Sequence, residues 1–501
     1  MDILRAPELL GCALLIIATF LLFKQLAPFK RRRAPSLPCP RALPLVGNLY
    51  QLGALPHASL AAMAEKHAAP LMLLRLGSVP TLVVSTADAA RAAFQANDRA
   101  MSGRPATCAG TRLSYGLQDI TFASSSDSPA WRAARRACLS ELLGAPRVRG
   151  FRDVRESEAA ALVAAVTSAS GSCSPRQVCC NEQQDRAACA FGDNGELTAE
   201  SKAVLEEAQK LLGAFFVADY IPWLGWLDTL LGTRRRLDKN FHELDAFYER
   251  VISDHLNKRA VSKEEDLVDV LLRLHDDPAQ RNTFGSRSRI KAILMDMLIA
   301  GTDTAAATLE WTMTELLRHP DALAKAQLEV RSLVGDRDMV RESDLQELHY
   351  LKLVIRESLR LHPPAPLLLP RVTTEPCTVQ GCEIPARTWV LVNAKAIGLD
   401  TGVWGPDARL FVPERHEGDG VELSNHKPWH DNFALIPFGI GRRSCPAAHF
   451  ATAVVELLLA NLLLCFDWRA PLGEVDVEEQ SSVVVYRKNP LVLVAERRCF
   501  Q

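Results

Sequence analysis

A chain of 501 residues, 48% apolar and 23% charged, has ample material for a large globular core. Its 58 basic and 59 acidic residues nearly cancel, so no global charge draws it to nucleic acid. Thirteen cysteines, an odd number with no C-x-x-C pair, argue against a disulfide framework and against zinc, and fit a reducing cytosolic setting for the main body.

Residues 9–23 form an uninterrupted apolar run, followed by Lys24 and the cluster Lys30-Arg31-Arg32-Arg33. With tilt, residues 3–26 reach the roughly 20 residues of a spanning helix. The basic cluster follows the run, so the positive-inside rule puts the N-terminus in the lumen and everything after Arg33 in the cytosol. A signal peptide, which carries its charge before the apolar run, and an interfacial helix are the competing readings. Pro35, Pro38, Pro40 and Pro44 then make a stiff, extended hinge. The expected organisation is a membrane anchor over 1–29, a basic, proline-rich hinge over 30–48 and a globular domain over 49–501.

Residues 71–76 and 80–85 read as two short strands joined by a Gly-Ser-Val turn, and the alanine-rich stretch 87–96 as a helix. Trp131 and Arg135 lie four apart and share a helix face, where a cation stacked on an indole is a common surface arrangement. Residues 172–194 are polar around most of a helix circumference and would pack poorly; no function is read there. Residues 214–230 carry five aromatics with the breakers Pro222 and Gly225. They suit a core segment, a lid over an apolar pocket or a bilayer contact.

Residues 289–319 form a long helical pattern containing Ala300-Gly301-Thr302-Asp303-Thr304. Glycine inside a helix costs roughly 1 kcal/mol relative to alanine, so a compensating role for Gly301 is expected: it lets another group approach the backbone. Thr304 bonding back to a helix carbonyl is the plain alternative to a functional hydroxyl. Glu357 and Arg360, three apart, can pair, and an isolated pair of this kind is usually a solvated surface bridge. Pro363-Pro364 ends that helix; an apolar stretch to Arg371 follows, then strands near 377–379 and 388–393 and a hairpin arm at 481–486.

The segment Pro437-Phe438-Gly439-Ile440-Gly441-Arg442-Arg443-Ser444-Cys445-Pro446 precedes an apolar helical run over 450–465. Its glycines allow a turn and a close approach, its arginines bring fixed positive charge, and a helix N-terminus favours a thiolate. Cys445 is thereby placed to be a thiolate ligand. A buried core cysteine is the bland alternative.

Phe438, Gly441, Arg443 and Cys445, at spacings of three, two and two, resemble the haem-thiolate loop of the cytochrome P-450 family, plant microsomal class. Ala447 stands where that loop usually has glycine. The hinge leading into residues 43–49 is similar to microsomal members, and the likeness runs to the C-terminus. It implies a mainly α fold with a small β region, preceded by the anchor helix. It implies haem b with Cys445 as axial ligand of the iron, and Trp131, Arg135, Arg371 and Arg443 as partners of the haem propionates. Ala300 to Thr304 resembles the distal helix, where Gly301 makes room for O2 and Asp303 and Thr304 deliver protons; Ala305 replaces a customary Thr or Ser. Glu357, Arg360 and Arg415 resemble the structural lock of the family, with His416 in place of the customary Phe. The implied reaction inserts one oxygen atom of O2 into an apolar small molecule, with electrons from an NADPH-dependent reductase docking near the Cys445 loop at the endoplasmic reticulum membrane. No Gly-rich nucleotide fingerprint follows a strand, which agrees with an external reductase. Two competitors stand beside this: a haem-thiolate dehydratase or isomerase without net oxygen insertion, against which Asp303-Thr304 argues mildly, and a non-catalytic haem-binding protein.

Overall fold

The computed structural model describes residues 37–168, 199–258, 265–418, 433–471 and 475–498. The proposed anchor, the basic half of the hinge and the polar stretch 172–194 lie outside the described residues. Counting helices of nine residues or more, the chain runs through α1 (Pro56–Lys66), α2 (Ala87–Asn97), α3 (Pro129–Ala137), α4 (Arg152–Ser168), α5 (Ala199–Leu212) and α6 (Thr233–Lys258). It continues through α7 (Leu267–Asp276), α8 (Arg287–Arg318), α9 (Pro320–Val334), α10 (His349–Leu361) and α11 (Ala448–Cys465). Helix starts follow capping chemistry: Thr86 accepts from the Ala89 N–H at α2, and Ser128 accepts from the Trp131 N–H ahead of Pro129 at α3.

The small β region is one four-stranded sheet with three two-stranded ribbons among the described residues. In the sheet, β1 (Leu71–Leu76) pairs antiparallel with β2 (Val79–Val84), β2 runs parallel to Trp389–Val392, and Arg371–Val372 closes the far edge antiparallel. The second strand therefore begins one residue before the sequence expectation, because Val79 pairs with Leu76 across the turn. Cys377–Val379 pairs with Cys382–Ile384 as a separate ribbon. Glu479–Gln480 and Tyr486–Arg487 form the expected hairpin arm.

The core is built on α8 and α11, which touch each other; α11 also packs on α4, α9 and α10. Leu457, Leu458, Leu459, Leu462, Leu463 and Leu464 on α11 are buried, each stabilising by roughly 1.5–3 kcal/mol. Both helices are long and apolar enough to cross a bilayer, but 67% of each apolar window is buried against protein, so they are core helices. Residues 214–230 are core only in part: Phe216 joins a core cluster and Ile221 is buried. They break into Val217–Tyr220, a 3-10 turn at Pro222–Leu224 and Trp226–Leu230, and leave Phe215, Trp223 and Trp226 exposed.

Candidate active site

The Cys445 loop is set by two left-handed glycines and a short ladder of backbone bonds. Gly439 (φ 78°) and Gly441 (φ 59°) take conformations that side chains disfavour, and a Cβ on Gly441 would collide with the Asp98 carboxylate. The Cys445 N–H donates to the Phe438 carbonyl at 2.8 Å, and the Ser444 N–H to Gly441 at 2.9 Å. Phe438 thus enters the loop through its backbone. Its ring packs on the main core. The Cys445 thiol is surrounded by protein and yet accessible. Burial pushes the thiol up; the Ala447 N–H at the start of α11 and the Arg135 charge pull it down without overcoming that. The expectation that the neighbouring arginines supply this charge is corrected. Arg442 turns to Asp98 and Asp127, at 3.6 and 3.4 Å, and Arg443 points into a nest of carbonyls. The cation acting on the sulfur comes from α3.

Four guanidiniums gather here. Arg443 donates to the carbonyls of Ser102 (2.8 Å), Ile120 (3.0 Å) and Ala123. Arg135 donates to Ser444 at 2.7 Å. Arg371, at the sheet edge, donates to the Ile440 carbonyl and meets Asp98 at 3.5 Å. The fourth, Arg104, was missed by sequence reasoning; it donates to Thr121, Leu369 and Pro370 at 3.0, 2.7 and 2.9 Å. Trp131 lies in their midst, with the Arg443 and Arg135 guanidiniums 4.6 and 5.6 Å from its ring centre and its indole N–H on the Ile120 carbonyl at 2.9 Å. Burial first, and then mutual repulsion, lower Arg443 to about 10 and take Arg104 well below its usual value. Burial lowers Arg371 to about 10 against the pull of Asp98, and it lowers Arg135 as well. Backbone carbonyls satisfy the donors but do not neutralise the charge, so the cluster carries a positive excess suited to an anionic ligand.

On α8, Ala300 and Gly301 are exposed between buried flanks, and a Cβ on Gly301 would meet no heavy atom within 4 Å. The helix therefore opens onto free space at this point. Thr304 donates its hydroxyl to the Ala300 carbonyl at 2.9 Å, as Thr302 does to Leu298 and Thr308 to Thr304. The back-bonded state of Thr304 is thus the one observed. The Asp303 carbonyl accepts from the Tyr486 hydroxyl at 3.2 Å, which ties the hairpin arm to this turn. Val484, near the arm's tip, packs on Ala307 and Trp311.

Glu357 and Arg360 do not form a surface bridge: both side chains are fully buried. Arg360 grips Glu357 through two bonds of 2.7 Å, Arg415 adds one at 2.8 Å and the Val412 N–H another at 2.9 Å. His416 joins at 2.9 Å. Burial alone would raise Glu357, but the Arg360 bond, the His416 bond and the Arg360 charge take it down to about 2.

A haem presents an apolar macrocycle, two carboxylates and an iron that needs an axial ligand. The residues present fit it on three counts: an accessible thiol, a buried cationic cluster beside it, and a helix surface that opens at Gly301.

The family model described as "Cytochrome P450" matches residues 37–494. "Cytochrome P450 71A9" of Glycine max is 42% identical over 503 residues, covering 97% of this chain and 98% of its own length. "Strychnine-11-hydroxylase" of Strychnos nux-vomica is 41% identical over 502 residues, covering 97% of each. "Cytochrome P450 71A1" of Persea americana is 42% identical over 471 residues, covering 90% of this chain and 91% of its own. With relatives named as cytochromes P-450 and a hydroxylase over nearly its whole length, the chain is a monooxygenase that belongs to the cytochrome P-450 family.

Proposed function

We propose that the chain is a membrane-anchored haem-thiolate monooxygenase of plant specialised metabolism, acting on an apolar small molecule. The observation that carries this is the buried positive cluster of Arg104, Arg135, Arg371 and Arg443 beside the accessible Cys445 thiol. In this reading Cys445 is the axial ligand of haem b, and Trp131, Arg135, Arg371 and Arg443 hold the propionates, with Arg104 added. Phe438, Gly439 and Gly441 shape the loop that presents the sulfur. When bound, the haem supplies the activation of O2 and the transfer of one oxygen atom to substrate.

The remaining work falls to side chains. The Ala447 N–H and the Arg135 charge stabilise negative charge on the Cys445 sulfur. Gly301 leaves room at the helix face. The Thr304 hydroxyl would release the Ala300 carbonyl to hand on a proton, with Asp303 as its acidic neighbour. Glu357, Arg360 and Arg415 are structural.

Electrons would come from an NADPH-dependent cytochrome P-450 reductase. A surface groove lined by Arg132, Arg135, Arg136 and Leu139 on the Cys445 side offers a basic seat for an acidic flavoprotein. We assign 1–29 to the anchor in the endoplasmic reticulum membrane, 30–48 to the hinge and 49–501 to the cytosolic catalytic domain. The exposed Phe215, Trp223, Trp226, Leu230 and Leu231 support a second, interfacial contact with the bilayer. The name of the relative strychnine-11-hydroxylase supports hydroxylation of a plant small molecule as the reaction. The test is turnover with the reductase, NADPH and candidate substrates, with and without O2. Oxygen-dependent product carrying one atom of O2 is expected; turnover without O2 would favour the dehydratase or isomerase instead.

A further inference from the structure

Helix α8 buries Asp296 between Met295 and Met297, and the chain before α3 brings a second acid, Asp119, against it. They are 7% and 1% exposed. Asp296 accepts the N–H groups of Ile120 and Thr121 at 2.8 and 3.3 Å, and Asp119 accepts that of Phe122 at 2.8 Å. The other oxygen of Asp119 is buried, and no N–H or hydroxyl donor among the described residues reaches it. Three successive N–H groups, of Ile120, Thr121 and Phe122, hold the two carboxyl groups side by side. Two carboxylates so placed repel, whereas one proton between them makes a charge-assisted hydrogen bond and satisfies the orphaned oxygen. Burial raises both acids, and for Asp119 the neighbouring acid is the next cause. Arg104, Arg443 and Arg289 face Asp119, and Arg443, Tyr248 and Cys138 face Asp296.

The pair is wired to the cationic cluster through two adjacent residues: Thr121, whose N–H Asp296 accepts and whose carbonyl accepts Arg104 at 3.0 Å, and Ile120. The Ile120 N–H is held by Asp296, while its carbonyl accepts both the Trp131 indole at 2.9 Å and Arg443 at 3.0 Å. The distal helix and the Cys445 side therefore share the Ile120 backbone.

We propose that Asp119 and Asp296 hold a single proton between them, and that this singly charged pair is the positioning counter-ion of the arginine cluster, fixing the Ile120 segment that Trp131 and Arg443 grip. The consequence for haem rests on the haem-thiolate reading; the shared proton does not. An asparagine in either position mimics a protonated acid: it accepts the same N–H and donates to the remaining carboxylate, so one negative charge survives. Only the double substitution removes it.

The test uses the full chain. Infrared spectra at neutral pH should contain the carbonyl stretch of a buried protonated carboxyl group, shifted in D2O and lost in both D119N and D296N. Reduction potentials of the haem-loaded protein should stay near the parent value in each single variant and move positive in the double variant by more than the two single shifts together. Absence of the protonated-acid band would overturn the proposal, as would single variants that each shift the potential by about half of the double variant. If the double variant does not fold, loss of the D2O-sensitive band in each single variant still decides, and separates it from the buried Glu456 carboxyl, which its own burial raises to about 7. Failure of the haem-thiolate reading would appear separately, as a reduced, CO-bound spectrum without the thiolate signature while the infrared band persists.

Discussion

The Glu357 lock and the arginine cluster beside Cys445 are both buried, and they are balanced differently. The lock is complete in itself: the Glu357 carboxylate meets Arg360, Arg415 and His416 with bonds of 2.7 to 2.9 Å, and its charge is held down to about 2. The cluster of Arg104, Arg135, Arg371 and Arg443 spends most of its donors on neutral carbonyls, with Asp98 meeting Arg371 alone at 3.5 Å, and the charges press on one another. A buried ion pair whose partners all come from the chain holds a fold together, whereas a buried excess of one sign is made for a ligand.

Breaking the lock should have the largest effect. Glu357→Ala leaves Arg360 and Arg415 without their carboxylate and should cost roughly 3–5 kcal/mol, read as a collapse in thermal stability or soluble yield. The same carboxylate predicts an acid limb. Its folded value lies below its unfolded one, so its contribution of roughly 3 kcal/mol is full above the unfolded value near pH 4.5 and is lost as pH falls through about 2. A pH series of unfolding midpoints on the parent chain and on Glu357→Gln should show the difference confined to that window's upper side.

The arginine cluster should respond with opposite signs in its two states. Arg371→Met relieves like-charge repulsion without haem, so the apoprotein should be as stable as the parent or more so, while haem loss should quicken by about 10-fold or more. Arg360→Met should destabilise both forms. Equal destabilisation of both forms by Arg371→Met would erase the contrast between the clusters.

His416→Phe should be milder. The imidazole is fully buried, burial lowers its pKa, its Nδ1 finds no partner among the described residues, and its ring meets Trp404 edge-on at 5.6 Å. Losing one bond to Glu357 is offset by apolar packing, so the change should stay within about 1 kcal/mol. Thr304→Ala should be smallest in stability, within about 0.5 kcal/mol, since only a back-bond on the helix is lost. Its expected effect is on coupling: more NADPH consumed per product formed.

The lock and the Cys445 loop were legible through a family resemblance carried by fixed spacing: Glu357 and Arg360 three apart on one helix face, and Phe438, Gly441, Arg443 and Cys445 at three, two and two; the spacing of Glu357 and Arg360 alone suggested only a surface bridge. Arg104 carried no such signal, since a single arginine before Pro105 in a loop has no period to betray it. Its role appears only when Leu369 and Pro370, far along the chain, close over it. The directions of Arg442 and Arg443 were hidden for the same reason, being decided by Asp98, Asp127 and three distant carbonyls. Asp296 did leave a trace, as an acid within an apolar helical run, but its partner Asp119 is set by tertiary packing. His416 is a departure from family pattern that the fold turned into a further hand on Glu357.

The account turns on Cys445 being the haem ligand beside the cationic cluster. The reduced, CO-bound absorption spectrum of the parent chain and of Cys445→Ala tests this most directly. The red-shifted Soret band of a thiolate ligand should be present in the parent and absent in the variant. A parent spectrum lacking that shift, or a variant that keeps it, would contradict the account.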